Sequence, residues 1–161
     1  MADGKFLAAS QNGSYVIRLT GDVRLTLSTT IDEYFCAMYD DPDFVSVWVD
    51  LCDAEGIDST TLGILAKLAL EVKKKFGFVP AIYSCSSGIN RLLKSMGFQR
   101  LFELHEELCA APQNVNEIPS VAGTEQTVKE KVVEAHRVLM GLNEDNRIQF
   151  KDLMVILEAG A

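Results

Sequence analysis

The chain has 161 residues, 48% hydrophobic and 24% charged, the composition of a soluble globular domain with an appendage. That excludes a largely disordered chain and a disulfide-stapled mini-protein. With 23 acidic against 15 basic residues the formal charge is −8, which repels phosphate backbones and anionic bilayers, so neither nucleic acid nor a membrane is an expected partner.

No apolar run approaches the roughly 18 residues that a spanning helix needs. Met1-Ala2-Asp3-Gly4-Lys5 has no basic segment ahead of an apolar one, so a cytoplasmic location is expected. Cys36, Cys52, Cys85 and Cys109 are never closer than 16 positions, and the histidines are His105 and His136. Metal-binding or redox C-x-x-C spacing is therefore missing, and the cysteines read as buried or half-buried free thiols. Neither a metal nor a cofactor is expected.

In chain order, Lys5 to Ser10 and Ser14 to Thr20 read as a β-hairpin across Gln11-Asn12-Gly13, with Asn-Gly as the turn dipeptide. The second run ends at Gly21-Asp22. A helix capped by Ser28 or Thr29 runs to about Met38, with Ile31, Tyr34, Phe35 and Met38 on one face, and Asp40-Asp41-Pro42 stops it. Phe44 to Leu51 is apolar almost throughout, the signature of a strand covered on both faces with a parallel neighbour.

The next helix carries Leu62, Leu65, Ala66, Ala69, Val72 and Phe76 as an apolar stripe. Lys67, Glu71, Lys74 and Lys75 lie away from it, and Gly77 ends it. Phe78 to Tyr83 is a short strand, and Ser86 or Ser87 caps a helix with Ile89, Leu92, Leu93 and Met96 that stops at Gly97. Phe98 to Leu104 is the last strand expected. Strands alternating with helices predict an α/β fold: a mixed, mostly parallel sheet with an N-terminal hairpin and crossover helices.

Three segments follow: a domain over 1–108, a linker over 109–123 and a helical extension over 124–161. The linker contains Ala111-Pro112-Gln113-Asn114 and Ile118-Pro119-Ser120. The extension reads as a helical hairpin, with Val128, Val132, Ala135 and Leu139 on its first helix and Phe150, Leu153, Met154 and Leu157 on its second. Thr127 and Glu130 are placed for a capping box.

Functional groups in such a sheet collect at the carboxyl ends of the strands. There the sequence reads Asp58-Ser59-Thr60-Thr61-Leu62-Gly63, three hydroxyls after a carboxylate at a helix start. One reading is structural, with Asp58 or Ser59 capping the helix. The other makes Ser59 a phosphoacceptor, since free N–H groups and the positive dipole end tolerate a phosphate there. The two are compatible, because the cap can pass to Asp58.

This run resembles the phosphorylation loop of STAS-domain anti-sigma factor antagonists. Leu19-Thr20-Gly21-Asp22-Val23, the helix ending at Phe76, and Arg91 to Phe98 leading to Leu101-Phe102-Glu103-Leu104 agree in order, over roughly residues 5–108. The resemblance implies the STAS fold, no catalysis, and partner switching. The unphosphorylated form binds an anti-sigma factor or a HATPase-type serine kinase, phosphorylation at the position matching Ser59 releases it, and a PP2C-type serine/threonine phosphatase restores it. Asp22, Asp58, Thr60, Thr61 and Leu62 are then the expected partner-binding residues, with Asp22 near Ser59; the plain alternative for Asp22 is a turn residue beside Gly21. Thr61 stands where many members have glycine. Together with the helical extension it makes the chain similar to the HsbA and SypA type, linked with biofilm and motility control.

Other chemistries fit poorly. Ile57-Asp58-Ser59-Thr60-Thr61 is not G-x-S-x-G, and neither histidine is placed by the sequence to serve Ser59. Cys52 and Cys85 both end strands and could approach each other. Gly141 to Asp152 echoes a calcium loop but lacks its first ligand, its central glycine and its terminal glutamate. Lys73-Lys74-Lys75 reads as a solvated helix end. Two further readings are a STAS scaffold that oligomerises through its helical tail, with Ser59 only a cap, and a small-nucleotide-binding or hydrolytic protein.

Overall fold

The computed structural model describes residues 2–109 and 114–160; the stretch Ala111-Pro112-Gln113, expected within the linker, lies outside the described residues. Strands β1 (Lys5–Gln11) and β2 (Ser14–Val23) form the expected antiparallel hairpin. Asn12 (φ 53°) and Gly13 (φ 84°) both take positive φ, the geometry a two-residue turn needs to match the twist of its strands. β2 does not stop at Gly21-Asp22 as expected. Gly21 turns through φ 71°, and the register shifts there while pairing continues, so the glycine bends the strand instead of ending it.

A short 3-10 turn (Leu25–Leu27) leads into α1 (Ser28–Tyr39). Neither Ser28 nor Thr29 caps this helix: both hydroxyls are buried without a hydrogen-bond partner among the described residues. Ile31, Phe35 and Met38 fill the core as expected. β3 (Ser46–Asp50) lies parallel between β2 and β5 (Ala81–Tyr83), which is why its sequence is apolar on both faces.

β4 (Ala54–Ile57), not among the expected strands, pairs parallel with the end of β2. α2 (Ser59–Phe76) ends at Gly77, φ 78°. α3 (Ser87–Ser95) is capped by Ser86. The stretch expected as a strand from Phe98 begins instead as a 3-10 turn (Phe98–Arg100), and only β6 (Glu103–His105) pairs with β5. It is not the last strand. In the linker, β7 (Asn116–Glu117) adds antiparallel to β1 and gives the order β6-β5-β3-β2-β1-β7, with β4 beside β2.

α4 (Glu125–Met140) and α5 (Glu144–Ala159) form the expected hairpin. The cap of α4 is Thr124, which accepts from Thr127 N at 3.1 Å, so the expected capping box is displaced by one turn. The calcium-like stretch is a helix junction: Asn143 caps α5, and the buried Asn146 donates to the carbonyls of Met96 and Leu139 at 2.9 and 3.0 Å. Leu153, expected in the core, is exposed while Phe150 and Met154 are buried.

The core is continuous from sheet to hairpin. Phe6 meets Phe35 edge-on at 6.4 Å, and Leu62, Leu65 and Leu68 of α2 share a cluster with Ala135, Leu139 and Phe150 of the hairpin. α2 is buried on most of its circumference, because the domain core lies on one side of it and α4 on another. Phe35→Ala removes a fully buried ring from the inner layer. It is expected to lower stability by about 3–5 kcal/mol, read as a lower urea midpoint with an unchanged slope.

Candidate functional site

The end of β2 and the start of α2 meet at one edge. Asp58 N donates to the Val23 carbonyl at 3.1 Å, continuing the β2–β4 pairing up to the first residue of the helix. Asp58 has extended backbone, and its carboxylate accepts from Thr61 N at 2.9 Å and from Leu25 N at 2.7 Å. One side chain therefore caps α2 and pins the turn before α1. The capping reading falls to Asp58, and the Ser59 hydroxyl is left for another partner.

That partner is His136 of α4. Ser59 Oγ lies 2.8 Å from His136 Nε2, and His136 Nδ1 lies 2.7 Å from the Val132 carbonyl. A carbonyl only accepts, so Nδ1 carries hydrogen and donates to Val132, which leaves Nε2 to pair with the Ser59 hydroxyl. The ring is 2% exposed and meets Phe150 edge-on at 5.1 Å. No local pattern joins His136 to Ser59; 77 positions separate them, and the docking of α4 brings them together. The expectation that neither histidine serves Ser59 is corrected here.

The other residues expected at this site divide in two. Asp22 and Asp58 are half-buried at the edge. The Asp22 carboxylate accepts from Arg24 Nε at 2.8 Å, and Asp22 and Asp58 both raise the Arg24 guanidinium above its ordinary pKa, the hydrogen bond to Asp22 contributing most. No hydrogen bond joins Asp22 to Ser59 among the described residues. Arg24 was not foreseen, although a cation two residues beyond Asp22 was visible. Thr60, Thr61 and Leu62 are buried at 3%, 0% and 1% exposure. Their side chains are interior, whereas Asp22, Asp58 and Ser59 are half-buried at the surface.

Beneath the edge, a buried carboxylate ties three helices together. Asp32 of α1 binds Lys131 of α4 and lies 3.4 Å from Lys67 of α2, whose ammonium also donates to Glu134 of α4 at 2.7 Å. Lys67, expected on a solvated face, is thus a bridge. The bond to Asp32 holds the Lys131 ammonium above its ordinary pKa against the opposing effect of burial. Burial lowers that of Lys67, but the bond to Glu134 and the charge of Asp32 outweigh it, and the net shift is upward.

Cys36, Cys52 and Cys85 are in no disulfide among the described residues. Cys36 and Cys85 are exposed, not buried as expected, whereas Cys52 and Cys109 are half-buried. Cys85 Sγ lies 2.9 Å from Cys52 Sγ, because the parallel register of β3 and β5 carries both past adjacent strand ends. Burial, helped by that contact, pushes the Cys52 thiol up to about 12. Among the described residues no group of histidine, cysteine or carboxylate side chains is arranged to hold a metal, and no helix is long and apolar enough to cross a membrane.

Two solved structures share this architecture. The crystal structure of an anti-sigma factor antagonist from Mycobacterium paratuberculosis is similar over 66% of this chain and 88% of that one, with a TM-score of 0.56 and 20% identity. The structure of the anti-sigma factor antagonist SpoIIAA in its unphosphorylated form is similar over 63% of this chain and 89% of that one, with a TM-score of 0.55 and 16% identity. This chain has the STAS fold of the anti-sigma factor antagonists. No family model matches the sequence, and no curated protein matches it. Within the STAS fold, Ser59 opens the helix that follows β4, at the edge where β2 also ends.

Asp58→Ala removes two hydrogen bonds to backbone N–H groups and is expected to destabilise the protein by about 1–2 kcal/mol, measured by chemical denaturation. A second expectation concerns pH. Lys67 and Lys131 have folded pKa values raised above their unfolded ones, so their contribution is complete below the ordinary lysine value of about 10.4 and is lost as pH rises through the raised values. The stability difference between wild type and Asp32→Asn should therefore be constant near neutrality and shrink from about pH 10 upward, followed by thermal unfolding at each pH.

Proposed function

We propose that the protein is a phosphorylation-controlled anti-sigma factor antagonist acting by partner switching in the cytoplasm, with Ser59 as the phosphoacceptor. The observation that carries this reading is the hydroxyl itself: Ser59 is half-exposed at the N-terminus of an 18-residue helix and is not used as its cap, since Asp58 holds that role. The solved structures of similar fold are anti-sigma factor antagonists, one of them in an unphosphorylated form, which supports the role.

In this reading the unphosphorylated chain binds an anti-sigma factor or a HATPase-type serine kinase. The Ser59 Oγ–P bond forms as the terminal P–O bond of the kinase's nucleoside triphosphate breaks; the hydroxyl proton passes to a base of the kinase and the diphosphate leaves. A PP2C-type phosphatase reverses the change by hydrolysis, releasing inorganic phosphate. The phosphoserine adds about −1.5 to −2 charge to an edge that already carries Asp22 and Asp58, on a chain of formal charge −8. Desolvating that dianion inside a contact favours dissociation, and about 2–3 kcal/mol suffices for a change of roughly thirty- to more than a hundredfold in affinity. The chain's own part is to present the hydroxyl, keep the helix capped through Asp58, and hold negative charge beside it. The HsbA and SypA type, with its place in biofilm and motility circuits, is the subgroup this reading favours.

Ser59→Ala is expected to hold its partner constitutively and Ser59→Asp to bind it at least about tenfold more weakly, measured by affinity capture from the native cells with both variants. Equal capture by the two overturns the proposal.

A second reading, oligomerisation through the tail, is favoured by the outward face of α5, where Ile148, Val155 and Ile156 are 61%, 62% and 70% exposed. Sedimentation of the purified chain separates it from the first: a monomer at micromolar concentration removes it.

A further inference from the structure

The α4–α5 hairpin covers the same face of α2 that carries Ser59. Ser59, Gly63 and Lys67 follow one another at intervals of four and so share one stripe of the helix. Each meets α4: Ser59 bonds to His136, Gly63 packs against Ala135, and Lys67 bonds to Glu134. At Gly63 the two helices touch backbone to backbone. A Cβ there would lie 2.3 Å from the Ala135 carbonyl oxygen and 2.5 Å from the Ala135 Cβ, closer than packed atoms allow. The glycine is thus a fitted seat for α4.

We infer that the hairpin is a partial intramolecular cover for Ser59, and that the docked hairpin opposes both a phosphoryl group on Ser59 and a protein bound closely over it. Ser59 Oγ lies 2.8 Å from His136 Nε2, and an esterified Oγ has no hydrogen to give that nitrogen, so a phosphoryl group on Ser59 costs the docked hairpin this bond. The imidazole is 2% exposed and backed by Phe150, so it cannot swing aside while α4 stays in place. Full access to the hydroxyl therefore requires α4 to lift. Its seat is mixed: Ala135 and Leu139 join the core, while Lys131 on Asp32 and Glu134 on Lys67 add ion pairs. The hairpin and an incoming protein are then competitors for α2: closed, the chain shields its hydroxyl; open, it offers it, and once esterified the serine keeps the hairpin off.

The regulatory meaning rests on Ser59 as phosphoacceptor; the cover itself does not, and its test uses no kinase and no partner. In the full-length chain, Ser59→Cys places a thiol at the covered position, and its alkylation by iodoacetamide is followed by peptide-resolved mass spectrometry, with exposed Cys36 and Cys85 as internal references. The cover predicts slow labelling at position 59, quickened at least about tenfold when Gly63→Leu is added to unseat α4. Lys131→Glu, which sets like charge against Asp32 from the rim of α4, is the second opening variant and carries the test should Gly63→Leu fail to fold. Labelling at 59 that already matches the reference cysteines, or that neither opening variant quickens, overturns the inference. Phosphate missing from Ser59 in native cells, with the labelling pattern as expected, would instead overturn the reading of its function and leave the cover standing.

Discussion

The contact on which the rest of the molecule depends is the close approach of α4 to α2. Hydrophobic burial drives it, since Leu139, Ala135 and Phe150 join the core cluster that α2 shares with the sheet. What lets the two backbones meet is the missing side chain of Gly63. Close packing makes the fit all-or-none: interiors are as dense as organic crystals, and one methyl group at that point has no space. The same contact sets the polar groups around it. Lys67 and Lys131 converge on Asp32, and the Ser59 hydroxyl finds His136.

Charge divides this chain into two kinds of surface. A buried carboxylate is tolerated only when paired, and Asp32, held by two ammonium groups from different helices, meets that condition while fixing how α1, α2 and α4 sit together. At the strand edge, Asp22 and Asp58 are half-buried beside Arg24. In the proposed switch, a phosphate added at this edge acts by repulsion against these carboxylates.

Most of the architecture was legible from local chemistry. The Asn12-Gly13 turn, the apolar run of β3 and the stripe of α2 each state a conformation that neighbouring residues enforce, and the structure follows them. The misses are instructive. β4 was invisible because Ala54-Glu55-Gly56-Ile57 is short and gains its strand geometry only from β2. β7 is two residues borrowed by β1 at an otherwise open edge. Ser28 looked like a cap, but the 3-10 turn ahead of it moved the helix start and left its hydroxyl buried. Lys67 looked solvated, because periodicity registers the face of a helix turned toward the first layer and not the face later covered by another.

The sequence by itself determined most strands and helices in their order, the helical tail, and the acidic loop with Ser59 at the head of α2, since each depends on turn chemistry, periodicity or composition within a few residues. The tertiary structure alone decided what the serine touches. Its histidine lies 77 positions away, and the seat that brings them together combines a glycine on one helix with an alanine on another. Neither residue carries a pattern that points to the other; their pairing exists only where two surfaces close to atomic contact.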